Sequence, residues 1–131
     1  LASGTHNFAS GGNTFKIALY TANPYTTSST AFTATSEVSS SGGSNYPSGG
    51  KELTSQSVTA TTATTAIDFA DTTFASATFT AAFAAIYNTS ASNKLCVVLD
   101  FGGNKTATNG TFTISYPDPS TPSNAIISIT S

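Results

Sequence analysis

The chain has 131 residues, a mass of 13.2 kDa, 8% charged residues and a net charge of −2. Its cations are four lysines, Lys16, Lys51, Lys94 and Lys105, with no arginine, so it lacks the basic stripe that displaces counterions from phosphates and the polybasic patch that binds anionic lipid. No run approaches the 18 or so apolar residues of a membrane-spanning helix, and the chain reads as a soluble single domain over residues 1–131.

Ser and Thr fill roughly a third of the chain, far above ordinary usage, so the surface is expected to consist mostly of hydroxyls and backbone. Thr, Val, Ile, Phe and Tyr suit the half-buried surface of a sheet, and no segment sustains helical periodicity. Residues 1–13 read as an N-terminal arm ending in the Gly11-Gly12-Asn13 turn. The first clear strand follows from Thr14 to Thr21, where Phe15, Ile17 and Leu19 alternate with Lys16, Ala18 and Tyr20.

Residues 22–51 form a long Ser/Thr/Gly-rich loop, too long for an inert connection. It is expected to be a functional loop or an arm that orders against a neighbour. Strands are predicted over Leu53–Thr59, Thr65–Phe69 and Phe74–Phe79, with Asp71-Thr72-Thr73 as a turn. Ala75–Ala85 would suit a helix by composition, but the interleaved Thr78, Phe79, Thr80 and Phe83 favour a strand.

The clearest hairpin joins Ala82–Tyr87 to Lys94–Phe101 through residues 88–93, with Leu95, Val97, Leu99 and Phe101 assigned to one face. Cys96 and Val98 carry no charge on the other face, so this strand is expected to be a central one covered on both sides. A turn-rich stretch from Gly102 to Gly110 precedes a strand with Phe112, Ile114 and Tyr116. A Pro-rich corner from Pro117 to Pro122 leads to a last strand, Ala125–Ile129. About eight short antiparallel strands describe a β-sandwich or jelly roll.

Residues able to carry chemistry are few. His6 is the only histidine and lies in a polar segment near the chain start, where it is expected to be solvated or at an interface rather than part of a triad. The acids Glu37, Glu52, Asp68, Asp71, Asp100 and Asp118 mostly sit beside turns, where capping explains them better than a glycosidase pair. Asp68 and Asp71 could share a calcium ion with carbonyls, though turn capping is the stronger reading. One Cys and one His cannot make a zinc cluster, and Cys96 reads as a buried, inert thiol in a strand. Sequons at Asn88, Asn104 and Asn109 follow from the abundance of Ser and Thr, and the paired glycines lack the Lys and helix of a phosphate loop. No enzyme activity, cofactor or metal is expected.

A series of phrases spans nearly the whole chain: Gly4-Thr5-His6-Asn7-Phe8, residues 14–21, Gly49-Gly50-Lys51-Glu52-Leu53-Thr54, Asp68-Phe69-Ala70-Asp71-Thr72-Thr73, Ala85-Ile86-Tyr87-Asn88, residues 97–102, residues 105–114, and Asn124-Ala125-Ile126-Ile127. In order and number they resemble a family of small structural proteins of tailed bacteriophages. Two departures stand out. Family members usually carry a short extra segment before the Gly-Thr-His-Asn-Phe phrase, and often a Trp where this chain has Phe74. The first, with Leu1 in place of Met, leads to the expectation that the natural chain starts earlier.

The resemblance implies a virion component without fixing its place. The leading expectation is a capsid decoration or cement protein, a homo-oligomer, expected as a trimer, that bridges subunits of the major capsid protein on the head surface. Weak contacts repeated over many copies stabilise a shell against internal pressure. Phe8, Tyr25, Phe32 and Tyr46 are the candidate interface residues, as aromatic anchors in neighbouring pockets. A second reading is a tail, baseplate or fibre component whose loops meet tail proteins or host glycans. A third is a secreted, extracellular adhesive or filament-forming subunit linked through edge strands or a donated terminal segment.

Overall fold

The structure, a computed structural model, describes residue 9 and residues 11–60, 65–115 and 126–130; for 57–60, 65–68, 115 and 126–130 only the backbone is described. The regular structure among the described residues is antiparallel β-sheet, with one short 3-10 turn. Strands β1 (Phe15–Tyr20), β2 (Lys51–Glu52), β5 (Thr72–Asn88), β6 (Lys94–Ser115) and β7 (Ile126–Thr130) form one sheet in the order β2-β1-β5-β6-β7. Strands β3 (Ser57–Ala60) and β4 (Thr65–Asp68) form a separate two-stranded ribbon with Ser57 opposite Asp68.

The alternation of β1 sets the two sides of the sheet. Phe15, Ile17 and Leu19 enter one apolar cluster, while Ala18 and Tyr20 enter a second on the opposite face. β1 pairs along its whole length with the end of β5, from Phe15 opposite Asn88 to Tyr20 opposite Phe83. Ala84 and Ala85, fully buried on the central strand, face opposite clusters. Their small side chains leave room for Tyr46 on one side and for Tyr20 and Tyr25 on the other.

The long hairpin of β5 and β6 replaces four of the expected elements. The segments around Phe74–Phe79 and Ala82–Tyr87 are one strand, and those around Lys94–Phe101 and Phe112–Ile114 are its partner. Thr72 and Thr73, expected in a turn, already pair with Ile114 and Thr113. The turn-forming residues between Gly102 and Gly110 make bulges instead of ending the strand. Ala81 pairs with Lys105 and Phe83 with Asp100, so four residues of β6 stand against one of β5. Gly102 and Gly103 take φ of 78° and 145°, and the Asp100 carboxylate accepts from the Gly102 N–H at 2.8 Å, an Asx turn inside the ladder. A second irregular stretch holds Ser76 and Asn109 at positive φ, with the Asn109 N–H donating to the Thr78 hydroxyl at 2.9 Å. Bulges bend strands and increase their twist, which brings Phe74, Phe79 and Phe112 onto the same cluster as β1.

At its closed end the hairpin turns through a 3-10 segment, Thr89–Ala91, capped by the Asn88 side chain on Ser90 N–H, followed by Ser92 and Asn93 at φ of 55° and 58°. A further bulge sets Ile86 against Val97 and Tyr87 against Leu95. It shifts the alternation by one residue: Cys96, Val97, Leu99 and Phe101 contact the first cluster, whereas Leu95 turns to the second with Val98. Leu95 therefore leaves the face assigned to it from periodicity, because an inserted residue exchanges sides for everything before it.

Of the predicted strand over Leu53–Thr59 only Ser57–Thr59 is strand, in β3; β2 ends before it at Glu52, and Leu53 lies buried in the connection between the two. Its N–H bonds the carbonyl of Phe15 at 2.8 Å. Phe69, after β4, packs edge-on against Phe15 at 6.1 Å, so the β3–β4 ribbon is bracketed by two core residues. Tyr116 and the proline corner lie outside the described residues.

Candidate functional site

The part of the fold with the densest polar chemistry is where the loop between β1 and β2 crosses the sheet. Backbone bonds tie it at both ends. Tyr20 bridges Glu37, Val38 N–H donates to Leu19 C=O at 2.9 Å, and Thr78 N–H donates to Ser44 C=O at 3.0 Å. Four tyrosine hydroxyls complete the attachment.

On one face the Tyr46 hydroxyl accepts from the Leu19 N–H at 2.9 Å and donates to the Glu37 carboxylate at 2.7 Å. The same carboxylate oxygen accepts from Gly49 N–H at 2.8 Å, and Gly49 C=O accepts at 2.6 Å from Tyr87 O–H, whose ring belongs to the opposite cluster with Tyr20 and Tyr25. Gly50 follows at φ +87°, and a Cβ there would lie 1.9 Å from the Ile17 carbonyl oxygen. Only glycine lets the loop come this close to β1. On the other face Tyr20 donates to Thr33 C=O at 2.9 Å, so its 2.6 Å contact with Tyr25 is a bond donated by Tyr25. Tyr25 in turn accepts from Thr33 N–H at 3.1 Å.

Burial raises the pKa of Tyr20, Tyr46 and Tyr87. Tyr20 and Tyr46 are pushed well above the ordinary tyrosine range, first by desolvation and then, for Tyr20, by the bond to Tyr25. For Tyr46 desolvation prevails over the Leu19 N–H bond that works against it, helped by the Glu37 contact. Tyr87 is raised to about 12 by desolvation and the field of Glu37. All three are neutral hydrogen-bonding groups at physiological pH and serve as loop anchors.

The four interface candidates from the sequence separate accordingly. Tyr25 and Tyr46 are buried within this chain, Tyr25 edge-on to Tyr20 at 5.4 Å and Tyr46 stacked on Phe74 at 5.7 Å. Their rings pack into the chain's own two clusters. Phe32 is half-buried, stacked on Tyr87 at 4.5 Å. Phe8 lies outside the described residues, as do His6 and Asp118. The loop expected as an outward arm thus contributes Val38 and Tyr46 to one cluster and Tyr25 to the other.

The remaining acids are scattered. Glu52 and Asp71 are exposed, and Asp100 serves the bulge. Among the described residues no three His, Cys, Asp or Glu side chains lie close enough to hold a metal ion. Cys96 is buried, and burial pushes its thiol up to about 11. An open cleft of about 430 Å³ is lined by Ser40, Asn45, Pro47 and Lys51 above the buried rings of Tyr46 and Phe74. Its two strongest polar groups are committed to backbone: Lys51 Nζ donates to Thr73 C=O, 5.5 Å over the Phe74 ring, and Asn45 Nδ2 donates to Ala75 C=O at 2.7 Å.

The two edges of the sheet differ. β2 is two exposed, charged residues long, a protected edge. On the other side β7 covers β6 only from Thr111 to Ser115, and the loop covers it at Lys94, through a bridge to Ala31 and bonds joining Phe32 N–H to Asn93 C=O and Leu95 N–H to Thr30 C=O. Between these, from Val97 to Gly110, β6 has no strand on its outer side among the described residues. The first part of that edge is apolar apart from the exposed Asp100, with Val97, Val98, Leu99 and Phe101 all half-buried. Farther along, the outward side chains of the hairpin are uncharged: Thr73, Ser76 and Thr78 on β5 and Thr106, Thr108 and Asn109 on β6 are exposed.

Periodicity could find the apolar strand but not its edge position, because strand order depends on long-range pairing. The tyrosine anchors carry a weak signal at most, isolated aromatics in a polar loop. No protein-family model matches the chain, and no curated protein or solved structure is similar to it.

Proposed function

We propose that this protein is a non-enzymatic structural subunit that works by assembly, a virion component that decorates a phage head and bridges subunits of the major capsid protein. The observation that supports assembly most directly is the outer edge of β6, which carries no strand among the described residues from Val97 to Gly110 and holds the half-buried apolar residues Val97, Val98, Leu99 and Phe101. A long apolar edge is normally covered, charged or interrupted, and one left open is a template for strand addition. The uncharged hydroxyl surface of the distal hairpin adds to this reading, since a protein with 8% charged residues gives up much of the solubility that surface charge supplies.

The virion assignment rests on the resemblance in sequence. Four of its phrases lie on β1, the Gly49-Gly50 approach to β1, the end of β5 beside the hairpin turn, and the β6 segment over residues 97–102, while Gly4-Thr5-His6-Asn7-Phe8 lies outside the described residues. These four coincide with packing and backbone geometry, as expected where a shared architecture is the common property. The eight-stranded sandwich or jelly roll belongs to this proposal too, with the bent hairpin supplying much of both layers. A filament-forming subunit is the competing reading, favoured by the same open edge.

Immunogold labelling of purified source particles, with copy number from a quantitative gel, tests the proposal. Dense label over heads at hundreds of copies is the expected result. A few copies at a tail end would move the protein to the tail, baseplate or fibre, and label on headless filaments would overturn the phage assignment. Val98→Lys places a charge on the open edge and is expected to block incorporation while the far-ultraviolet spectrum stays unchanged.

A further inference from the structure

We draw no further inference here: the strongest candidate, the open apolar edge of β6 over Val97–Phe101, belongs to the site already described, and nothing in the structure shows what covers it.

Discussion

Replacing Tyr46 by Phe removes a single oxygen and tests whether the loop between β1 and β2 is a structural part of the fold. The ring keeps its stacking on Phe74 at 5.7 Å and its edge contact with Phe79, so no cavity opens. Two hydrogen bonds disappear, from Leu19 N–H at 2.9 Å and to the Glu37 carboxylate at 2.7 Å. Leu19 is fully buried, so its N–H loses its acceptor out of reach of water, which costs about 1–3 kcal/mol. Glu37 is only half-buried and keeps Gly49 N–H, so its loss adds less, on the order of 0.5–1 kcal/mol. The expected destabilisation is about 2–3 kcal/mol, a fall in Tm of roughly 6–12 °C for a chain of this size. Urea denaturation followed by circular dichroism should show a lower midpoint with an unchanged slope. A Tm within about 2 °C of the parent would show that the hydroxyl is dispensable and the loop is held by other means.

Gly50→Ala should be far more damaging than Gly42→Ala. Its Cβ would meet the Ile17 carbonyl at 1.9 Å, whereas Gly42, also at positive φ, has nothing within 4 Å. Soluble yield and urea midpoints are expected to show loss of the fold for the first and about 1 kcal/mol for the second, and equal effects would contradict the close approach. Stability should hold steady to about pH 9 and fall steeply above pH 10, because folded-state pKa values raised above the unfolded value stabilise the native chain below the unfolded pKa and lose that contribution as pH climbs toward the folded values. Absorbance at 295 nm would report this as late, cooperative tyrosine ionisation coincident with unfolding; early, gradual ionisation of all tyrosines would refute it. The Cys96 thiol, raised to about 11 by burial, should react with a disulfide reagent at pH 8 only slowly in the native protein and rapidly in urea. Native reaction as fast as that of the unfolded chain would place the thiol at the surface.

Much of the local structure was legible from the residues alone. Alternation in Phe15–Tyr20 separated its residues onto two faces and set Phe15, Ile17 and Leu19 at a core, but the burial of Ala18 and Tyr20 in a second cluster on the other face was not in the pattern. The Ala-rich segment reads as a strand through its interleaved Thr and Phe, and it is one. The hairpin about residues 88–93 carried its signal in Asn88, Ser92 and Asn93, residues that tolerate caps and left-handed backbone. The site was harder to read. Tyr25 and Tyr46 look like outward anchors in a polar loop, but their surroundings are built from β1, β5 and β6, more than a single local window can hold.

Composition and periodicity by themselves determined the β class, the absence of a basic surface and the residues able to form strands, because these depend on side-chain type and spacing along the chain. Tertiary structure alone decided where strands end, which edge stays open and which way the loop folds. Gly102-Gly103 would terminate a strand in isolation, yet β6 runs on because β5 offers partners on both sides of the bulge, so interrupting the ladder costs less than abandoning it. The one-residue bulge at Cys96 likewise turns Leu95 to the opposite face. Such a shift is invisible to a periodic pattern, since it follows from pairing between strands and changes no residue in either.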